Sequence, residues 1–388
     1  MTAVSSTEVG SVDGLRGREP ALDGLRALAA LAVVLTHVAF QTGLVGRGAL
    51  GVVLGRFDFG VTVFFALSGY LLYGSHVRAA AAGRTAPDTV GYYVRRAVRV
   101  LPAYWLVLVV VLVTTRPPLP DAVANLALVQ IYLPGVFLPG YTHTWSLVTE
   151  LSFYAVLPLI AIALRRTRRP TVVLVAMVLT GWASAGLSGL VQFDAGSLQF
   201  AGENLAARWL PAHLAWFAVG MLLAQMTTER QTPWVRQVIA LAQRPGTCLA
   251  VAGAAFVLAT TNLAGPLTLA PTSGPQAALK ELLGTVVAAF LLLPLVLGRG
   301  DDLWSAAMGS RLARRLGLIS YGIFLWHLPV LEGFYVVSGV PRFSGNLVLA
   351  LIAVLPMTVL LASLTYVLVE RPLIRRAARF RVRAAEPG

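Results

Sequence analysis

The chain has 388 residues, of which 57% are hydrophobic and only 12% are charged, and its mean hydropathy is +0.75. Soluble domains carry about 25% charged residues, so this composition excludes a cytosolic enzyme, a secreted domain and a disordered chain. A single cysteine, Cys248, excludes a disulfide framework and a zinc site built on cysteines. The sequence therefore indicates a protein that crosses a membrane many times.

Ten segments are apolar and long enough to cross a bilayer as helices, which takes about 20 residues each. They are predicted at 22–40, 57–77, 99–114, 147–164, 171–190, 209–226, 247–263, 278–297, 316–337 and 347–369. The segment 120–139 is also apolar, but Pro134 and Pro139 interrupt it, so we expect a partly membrane-embedded loop there. The predicted fold class is an all-α polytopic transmembrane helix bundle.

The arginines lie mainly at the two termini and in every second connection between spans. The basic connections contain Arg78, Arg84, Arg95, Arg96 and Arg99, then Arg165, Arg166, Arg168 and Arg169, then Arg230, Arg236 and Arg244, then Arg299, Arg311, Arg314 and Arg315. Basic residues concentrate on the cytoplasmic side of membrane proteins, so both termini are predicted to be cytoplasmic. The net charge of +14 then reflects topology and contact with anionic lipid head groups, and no nucleic-acid partner is expected.

The chain ends are expected to be tails. Residues 1–20 are polar, show no cleavable signal peptide and are predicted to form a cytoplasmic N-terminal tail. Residues 377–388 are predicted to form a basic cytoplasmic C-terminal tail, which leaves a transmembrane domain at 21–376. Lys280 is the only lysine, and this strong preference for arginine suggests a GC-rich bacterial genome.

The first predicted span contains Asp23, Arg26 and His37, and ionisable groups inside a membrane are costly enough to be candidate functional groups. Arg26 and His37 are eleven positions apart, so both face the same way, about 16 Å apart along a helix. Asp23 and Arg26 could alternatively mark the cytoplasmic helix end. His37 could be a hydrogen-bonded packing residue or a proton-transfer group, because imidazole titrates near neutral pH.

The third span begins in the stretch YYVRRAVRVLPAYW, which contains Arg95, Arg96 and Arg99. Arg96 and Arg99 are three positions apart and therefore lie on one helical face. One interpretation is anchoring at the cytoplasmic surface. The other is a clamp for phosphate groups, since the guanidinium group matches phosphate geometry.

The stretch HTWSLVTELSF opens the fourth span and contains His143, Trp145 and Glu150. Glu150 could be a favourable charge near a helix N-terminus. The alternative is that it pairs with His37 from the same outer half of the membrane. In the second span, Ser68 and Gly69 form a small spot that either lets helices approach closely or leaves a gap beside a ligand.

The ninth span, LGLISYGIFLWHLPVLEGFY, places His327 close to mid-membrane, next to a proline that can bend the helix. His327 is therefore a functional or a structural candidate, and Tyr321 and Trp326 could be interfacial or core aromatics. In the last span, Glu370 and Arg371 are predicted to form a local ion pair. No nucleotide-binding glycine pattern and no HExxH pair occurs, which argues against a nucleotide-driven pump or a zinc protease.

Six of these stretches, taken in order, resemble the acyltransferase-3 family of integral membrane O-acyltransferases along nearly the whole chain. They are LDGLRALAALAVVLTHVAF, VFFALSGYLL, RRAVRVLPAYW, HTWSLVTELSFYAVLPL, LGLISYGIFLWHLPVL and VERP. In other members the Glu that corresponds to Glu150 is often followed by a second Glu. Leu151 occupies that place here, which leaves Glu150 as the only carboxylate in the stretch.

The resemblance implies an acyl-CoA donor, with acetyl-CoA expected, and a hydroxyl acceptor, commonly on a sugar. Arg26, Arg95, Arg96 and Arg99 would then bind the donor. His37 would act as general base or acyl carrier, with Glu150 or Asp23 orienting its ring. The remaining candidates for the cavity or for acceptor binding are His143, Trp145, Ser68, Tyr321 and His327. We expect the first, third, fourth and ninth spans to line this cavity.

We expect no metal and no permanently bound cofactor, and the partners expected are acyl-CoA, the acceptor and the lipid bilayer. The expected location is the bacterial cytoplasmic membrane. Two kinds of acceptor fit: an envelope or exported glycan or glycolipid, and a macrolide-type glycoside. The main alternative function is a secondary transporter that uses intramembrane His, Glu and Arg, although no repeat pattern typical of transporters is visible. A sensor or scaffold without catalytic activity is a further alternative.

Overall fold

The structure is a computed structural model that describes residues 20–193, 199–200, 203–267, 270 and 272–384. The helices are α1 Pro20–Gln41, α2 Gly48–Gly55, α3 Gly60–Ala81, α4 Thr89–Thr115, α5 Leu119–Leu126, α6 Trp145–Arg166, α7 Pro170–Phe193, α8 Leu214–Met226, α9 Pro233–Ala242, α10 Pro245–Ala259, α11 Gly274–Leu297, α12 Leu303–Met308, α13 Arg311–Leu318, α14 Ser320–Ser338, α15 Leu347–Thr365 and α16 Arg371–Ala384. In this part of the chain, the only β-structure is an antiparallel pair of two-residue strands, β1 Gln199–Phe200 and β2 Glu203–Asn204.

The predicted all-α polytopic bundle is confirmed. Among the described residues, seven helices are long and apolar enough to cross a membrane. Two further candidates are pairs of helices that pass the same test together but are bent: α9 meets α10 at 87°, and α13 meets α14 at 66°. The sixth predicted span, 209–226, contains only the shorter apolar segment Leu210–Met226, so its crossing of the membrane stays a prediction.

Apolar segments form helices here because lipid offers no hydrogen-bond partners to the backbone. A helix pairs its own backbone N–H and C=O groups. Polar side chains mark several helix starts. The Asp88 side chain accepts hydrogen bonds from the backbone N–H groups of Val90 and Gly91 at the start of α4, at 3.1 and 2.7 Å. At the start of α11, Ser273 and Gln276 form a reciprocal capping box.

The segment 120–139 differs from the predicted loop. It begins within the short helix α5 and continues as turns. Asn125 fixes this segment, because its side-chain amide donates to the carbonyl oxygens of Asp121 and Val136 at 2.8 and 2.7 Å. A buried amide that bridges a helix and the following loop gives an ordered segment despite the prolines.

Helix α3 packs most extensively against α8, and two glycines allow that approach. A Cβ atom at Gly69 would collide with the backbone carbonyl of Phe217, and one at Gly220 would collide with that of Ala66. Without a hydrophobic driving force between helices in lipid, such close backbone contacts are a main source of stability. The small spot predicted at Ser68 and Gly69 therefore has two roles: Gly69 allows the close approach of two helices, and Ser68 faces a cavity.

The end of the chain departs from the prediction at Glu370. This residue ends a π-helical turn, Tyr366–Glu370, and is 1% exposed. Neither of its carboxylate oxygens has a hydrogen-bond partner among the described residues, so the predicted ion pair with Arg371 is wrong. The π turn changes the rotation of the helix and directs Glu370 inward, whereas Arg371 is exposed. The predicted N-terminal tail lies outside the described residues except for Pro20, and the predicted C-terminal tail is described only to Ala384, as part of α16.

Candidate active site

Three histidines from distant parts of the sequence meet in the centre of the bundle. His37 lies on α1, His327 on α14, and His143 in the 3₁₀ turn Thr142–Thr144 that precedes α6. The ring centroids of His37 and His327 are 5.0 Å apart, those of His143 and His327 are 4.6 Å apart, and those of His37 and His143 are 6.4 Å apart. His143 and His327 are buried, whereas His37 is partly exposed to a cavity. The sequence predicted these residues as separate candidates, and the structure places them in one cluster.

The hydrogen bonds of this cluster determine which nitrogen of His37 is free. The His327 Nδ1 atom lies 2.6 Å from the carbonyl oxygen of Phe324, so Nδ1 carries the proton, and Nε2 of the neutral ring is an acceptor. The His37 Nδ1 atom lies 2.8 Å from the Val33 carbonyl oxygen and therefore also carries its proton. That N–H is shared with His327 Nε2 at 3.1 Å. In the neutral ring, Nε2 of His37 is then unprotonated and can accept a proton.

The first of two cavities at this cluster, here called the outer cavity, has a volume of about 330 Å³. It lies towards the end of the bundle that is predicted to face away from the cytoplasm. The residues of interest on its wall are His37, Asp58, Trp145, His213, Lys280 and Glu281. Lys280 Nζ donates to Asp58 at 2.7 Å, and His213 Nδ1 lies 3.3 Å from a Glu281 oxygen.

The sequence predicted His37 and Trp145 of this set as site residues, but not Asp58, His213, Lys280 and Glu281. A signal for them existed, because Lys280 and Glu281 are adjacent charged residues in an otherwise apolar predicted span. Sequence alone gave no way to pair Lys280 with Asp58, which lies 222 positions away.

The second cavity, here called the inner cavity, has a volume of about 100 Å³ and lies towards the arginine-rich end of the bundle. Its walls include Arg26, Ser68, Arg96, Arg99, Glu150 and Tyr321. Arginines of α1 and α4 thus converge on one space, as the prediction of a single anion-binding site requires. Arg95 is on α4 as well, but it is not among the described residues that line this cavity. The role of these arginines in binding a donor stays a prediction.

Glu150 does not orient His37, which corrects the sequence-based expectation. Its carboxylate accepts a short hydrogen bond from Ser68 and one of 2.6 Å from Tyr154, and it lines the inner cavity. The reason is helix rotation and depth. Five positions along α6 turn the side chain about 140° away from Trp145 and carry it about 7.5 Å deeper, so Trp145 lines the outer cavity and Glu150 the inner one.

Asp23 does not orient His37 either. It is 5% exposed, and it forms an ion pair with Arg26 at 2.8 Å, one turn away on the same helix. Fourteen positions separate Asp23 from His37, which is about 21 Å along α1. Asp23 therefore pairs locally with Arg26 and does not reach His37.

Tyr321 and Trp326 anchor α14, the helix that carries His327. The Tyr321 hydroxyl donates to the carbonyl oxygen of Val100 at 2.9 Å and so ties α14 to α4 beside the inner cavity. The Trp326 indole N–H donates to the Thr365 hydroxyl at 2.9 Å. Both bonds restrict the rotation of α14, which keeps His327 in register with His37.

The two cavities share a wall residue, Val61 on α3. His37 lines the outer cavity, whereas Phe324, whose carbonyl oxygen holds His327, lines the inner one. The arrangement offers an arginine-lined cavity on one side of Val61 and, on the other, a mixed polar and aromatic cavity with His37 on its wall. Such a geometry suits transfer of a group from an anionic donor to a polar acceptor.

Comparisons with known proteins agree with that chemistry. A family model described as an acyltransferase domain matches residues 19–367. Acyltransferase MdmB of Streptomyces mycarofaciens is 26% identical, over 95% of this chain and 95% of its own length. The putative membrane-bound transacylase BcsY of Komagataeibacter xylinus is 27% identical, over 92% of this chain and 83% of its own.

O-acetyltransferase OatA of Staphylococcus aureus is a longer protein and is 24% identical, over 92% of this chain and 57% of its own length. No solved structure shows a significant match to the chain. All three relatives are named for the transfer of acyl groups.

Proposed function

This chain belongs to the acyltransferase-3 family, and we propose that it transfers an acetyl or other short acyl group from acyl-CoA to a hydroxyl group of a carbohydrate-containing acceptor. One observation carries the proposal. His37, whose Nε2 is unprotonated, lines a polar outer cavity that shares the wall residue Val61 with an arginine-lined inner cavity. The donor and the acceptor would approach this point from opposite ends of the bundle.

The inner cavity supports the donor side of the proposal. Coenzyme A carries phosphate groups, and Arg26, Arg96 and Arg99 supply guanidinium groups that bind phosphate oxygens well. The arginine-rich end is predicted to be cytoplasmic, where acyl-CoA is made. A cavity of about 100 Å³ suits the thin pantetheine arm, while the larger nucleotide would remain at the helix ends.

The proposed chemistry needs a base next to the acceptor hydroxyl. His37 Nε2 takes the hydroxyl proton, and the oxygen attacks the thioester carbonyl carbon. The carbon–sulfur bond then breaks, and the CoA thiolate leaves and receives the proton from His37. His327 supports this cycle by accepting the His37 Nδ1–H, which holds the ring in the tautomer with a free Nε2. Transfer through an acyl group carried on His37 is the alternative route and uses the same nitrogen.

The position and volume of the outer cavity indicate which kind of acceptor could reach His37. An acceptor there reaches His37 from the side predicted to face away from the cytoplasm, which favours an envelope or exported glycan over a macrolide-type glycoside made in the cytoplasm. The cavity volume of about 330 Å³ falls near the lower limit of small-molecule sites, which is about 300 Å³. It would admit one end of a glycan chain.

The test uses purified protein in sealed vesicles, with radiolabelled acetyl-CoA supplied on one side at a time. We expect acetyl-CoA cleavage when the nucleotide is on the arginine-rich side, and no cleavage from the opposite side. Orientation of the vesicles is read from protease cleavage of the basic C-terminal segment. Saturable CoA binding without cleavage would point to a missing acceptor or a longer acyl donor. Absence of both binding and cleavage would contradict the proposal and favour the secondary transporter.

A further inference from the structure

The wall of the outer cavity contains a group of polar side chains that the proposed chemistry does not use. Asp58 comes from the 3₁₀ turn Arg56–Phe59 before α3, His213 from the turn Leu210–His213 before α8, and Lys280 and Glu281 from α11. Three separate segments thus bring titratable groups to the cavity that contains His37. Placing ionisable groups in a membrane interior costs free energy, so a cluster of them is a candidate functional site.

These groups balance one another in charge. Asp58 is paired with Lys280 at 2.7 Å, and the Glu281 carboxylate faces His213 at 3.3 Å. Arg208 also lines the cavity, so acidic and strongly basic side chains occur on the wall in equal number. A ligand with a strong net charge gains little from such a wall, whereas a neutral ligand with many hydrogen-bonding groups is suited to it.

The wall also has unused hydrogen-bond acceptors. Glu281 is 2% exposed, and its Oε1 atom has no hydrogen-bond partner among the described residues. The Oδ1 atom of Asp58 is likewise buried without a partner in that part of the chain. Buried polar atoms are normally satisfied, so two unsatisfied carboxylate oxygens on one cavity wall indicate a ligand that supplies O–H or N–H donors.

Aromatic rings complete the wall. The Trp145 and His213 ring centroids are 5.2 Å apart, and His213 stacks on Trp216 at 4.5 Å with an angle of 25° between the planes. These flat faces offer rigid, partly apolar contact area. A pyranose ring has an apolar C–H face and a rim of hydroxyl groups, and it therefore matches a wall of aromatic faces next to carboxylate oxygens.

We infer that Asp58, Glu281 and the Trp145–His213–Trp216 stack form a binding subsite for an uncharged, polyhydroxylated sugar ring in the outer cavity. This inference rests on the proposed function and adds the residues that hold the acceptor. The carboxylates accept hydrogen bonds from ring hydroxyls, Lys280 keeps Asp58 in place, and the aromatic stack contacts the C–H face. One further hydroxyl of the same sugar then reaches His37, on the wall of the same cavity.

The test measures radiolabelled acetyl transfer from acetyl-CoA to three small probes: methyl α-D-glucopyranoside, its uronic acid and its 2-amino analogue. Wild-type protein is compared with Glu281→Leu, Glu281→Gln and Asp58→Asn. We expect the neutral glucoside to be the best acceptor. We expect Glu281→Leu and Asp58→Asn to raise its KM about tenfold or more, with little change in KM for acetyl-CoA. Glu281→Gln keeps an acceptor oxygen and should restore much of the affinity, whereas Asp58→Asn also loses the ion pair with Lys280 that holds its side chain in place.

Glu332→Gln is the matched control, since it removes an acidic partner of Arg342 that does not line the outer cavity. CoA release without acceptor and the thermal unfolding temperature report whether each variant is folded and still uses the donor. Preference for a charged sugar, or an unchanged KM in Glu281→Leu and Asp58→Asn, would overturn the inference. So would donor cleavage without acetylation of any probe, which would leave the proposed function standing. If the wild-type protein neither binds nor cleaves the donor, the proposed function is overturned, and the inference is overturned with it.

Discussion

The Nδ1–H of His37 is shared between the Val33 carbonyl oxygen, at 2.8 Å, and Nε2 of His327, at 3.1 Å. His37 is on the first helix and His327 is 290 positions later on α14, so the bond joins two helices that are far apart in the sequence. Its consequence is chemical, because it leaves Nε2 of His37 as the unprotonated nitrogen on the wall of the outer cavity. The predictions below follow from this bond and from the two cavities around it.

Replacing His327 by Phe removes the acceptor that fixes the His37 tautomer while it keeps a ring of similar size. We expect kcat to fall about 10- to 100-fold, as happens when a partner that orients a functional histidine is lost. The KM for acetyl-CoA should stay close to the wild-type value, since His327 does not line the inner cavity. Steady-state acetyl transfer measures both constants. A variant with wild-type kcat would show that the bond has no catalytic role.

The double variant Arg96→Ala/Arg99→Ala should bind CoA about 10- to 100-fold more weakly, because each substitution removes a proposed charge-assisted contact to phosphate. Equilibrium binding of radiolabelled CoA to the protein in nanodiscs measures the change. Arg116→Asn is the matched control. Arg116 ends the same helix at the opposite side of the bundle, and Asn tolerates its positive φ of 47°. Equal loss of binding in the control, or none in the double variant, would contradict the donor site.

The variant Glu150→Gln distinguishes the arrangement in the structure from the sequence-based expectation that Glu150 orients His37. Because Glu150 is bonded to Ser68 and Tyr154 and not to His37, the pH dependence of kcat should not shift. Gln keeps one acceptor oxygen for Ser68 and Tyr154 but loses the carboxylate charge that strengthens these hydrogen bonds, so we expect the free energy of unfolding to fall by about 1 kcal/mol. A pH–rate profile and thermal unfolding test the two parts. A shifted profile would mean that Glu150 couples to His37 during turnover.

Close packing of α3 on α8 predicts a strong effect of bulk at Gly69. A side chain there meets the backbone of Phe217, so Gly69→Val should destabilise the protein by about 1–3 kcal/mol or more. Gly253→Ala is the control, since a Cβ atom at Gly253 on α10 meets nothing within 4 Å. Thermal unfolding of the two variants in the same detergent gives the comparison. Similar unfolding temperatures would argue against this helix contact.

Hydropathy alone predicted the helical bundle well, because a helix that crosses lipid must be long and apolar. It was less reliable where a span is broken. The 66° bend between α13 and α14 and the short helix α8 depend on packing against neighbours, which a window of one sequence does not contain. The topology, with both termini in the cytoplasm, stays a prediction.

Parts of the candidate site were also predictable. Arg26 and His37 lie on the same side of α1 by helix geometry, and Arg96 and Arg99 of α4 do meet Arg26 in one cavity. The role of Glu150 was wrongly predicted because depth and rotation on α6, relative to α1, depend on how the helices pack. The contacts of Asp58 and Glu281 could not be foreseen, since their partners are set by tertiary structure.

The most direct test of the role of His37 is single-turnover acetyl transfer by His37→Gln, with His76→Gln as a matched histidine control that lines neither the inner nor the outer cavity. The account predicts a rate about 10²- to 10⁴-fold below wild type for His37→Gln, with CoA binding retained and the control close to wild type. Acetyl transfer by His37→Gln at the wild-type rate would contradict the assignment of His37 as the group that activates the acceptor.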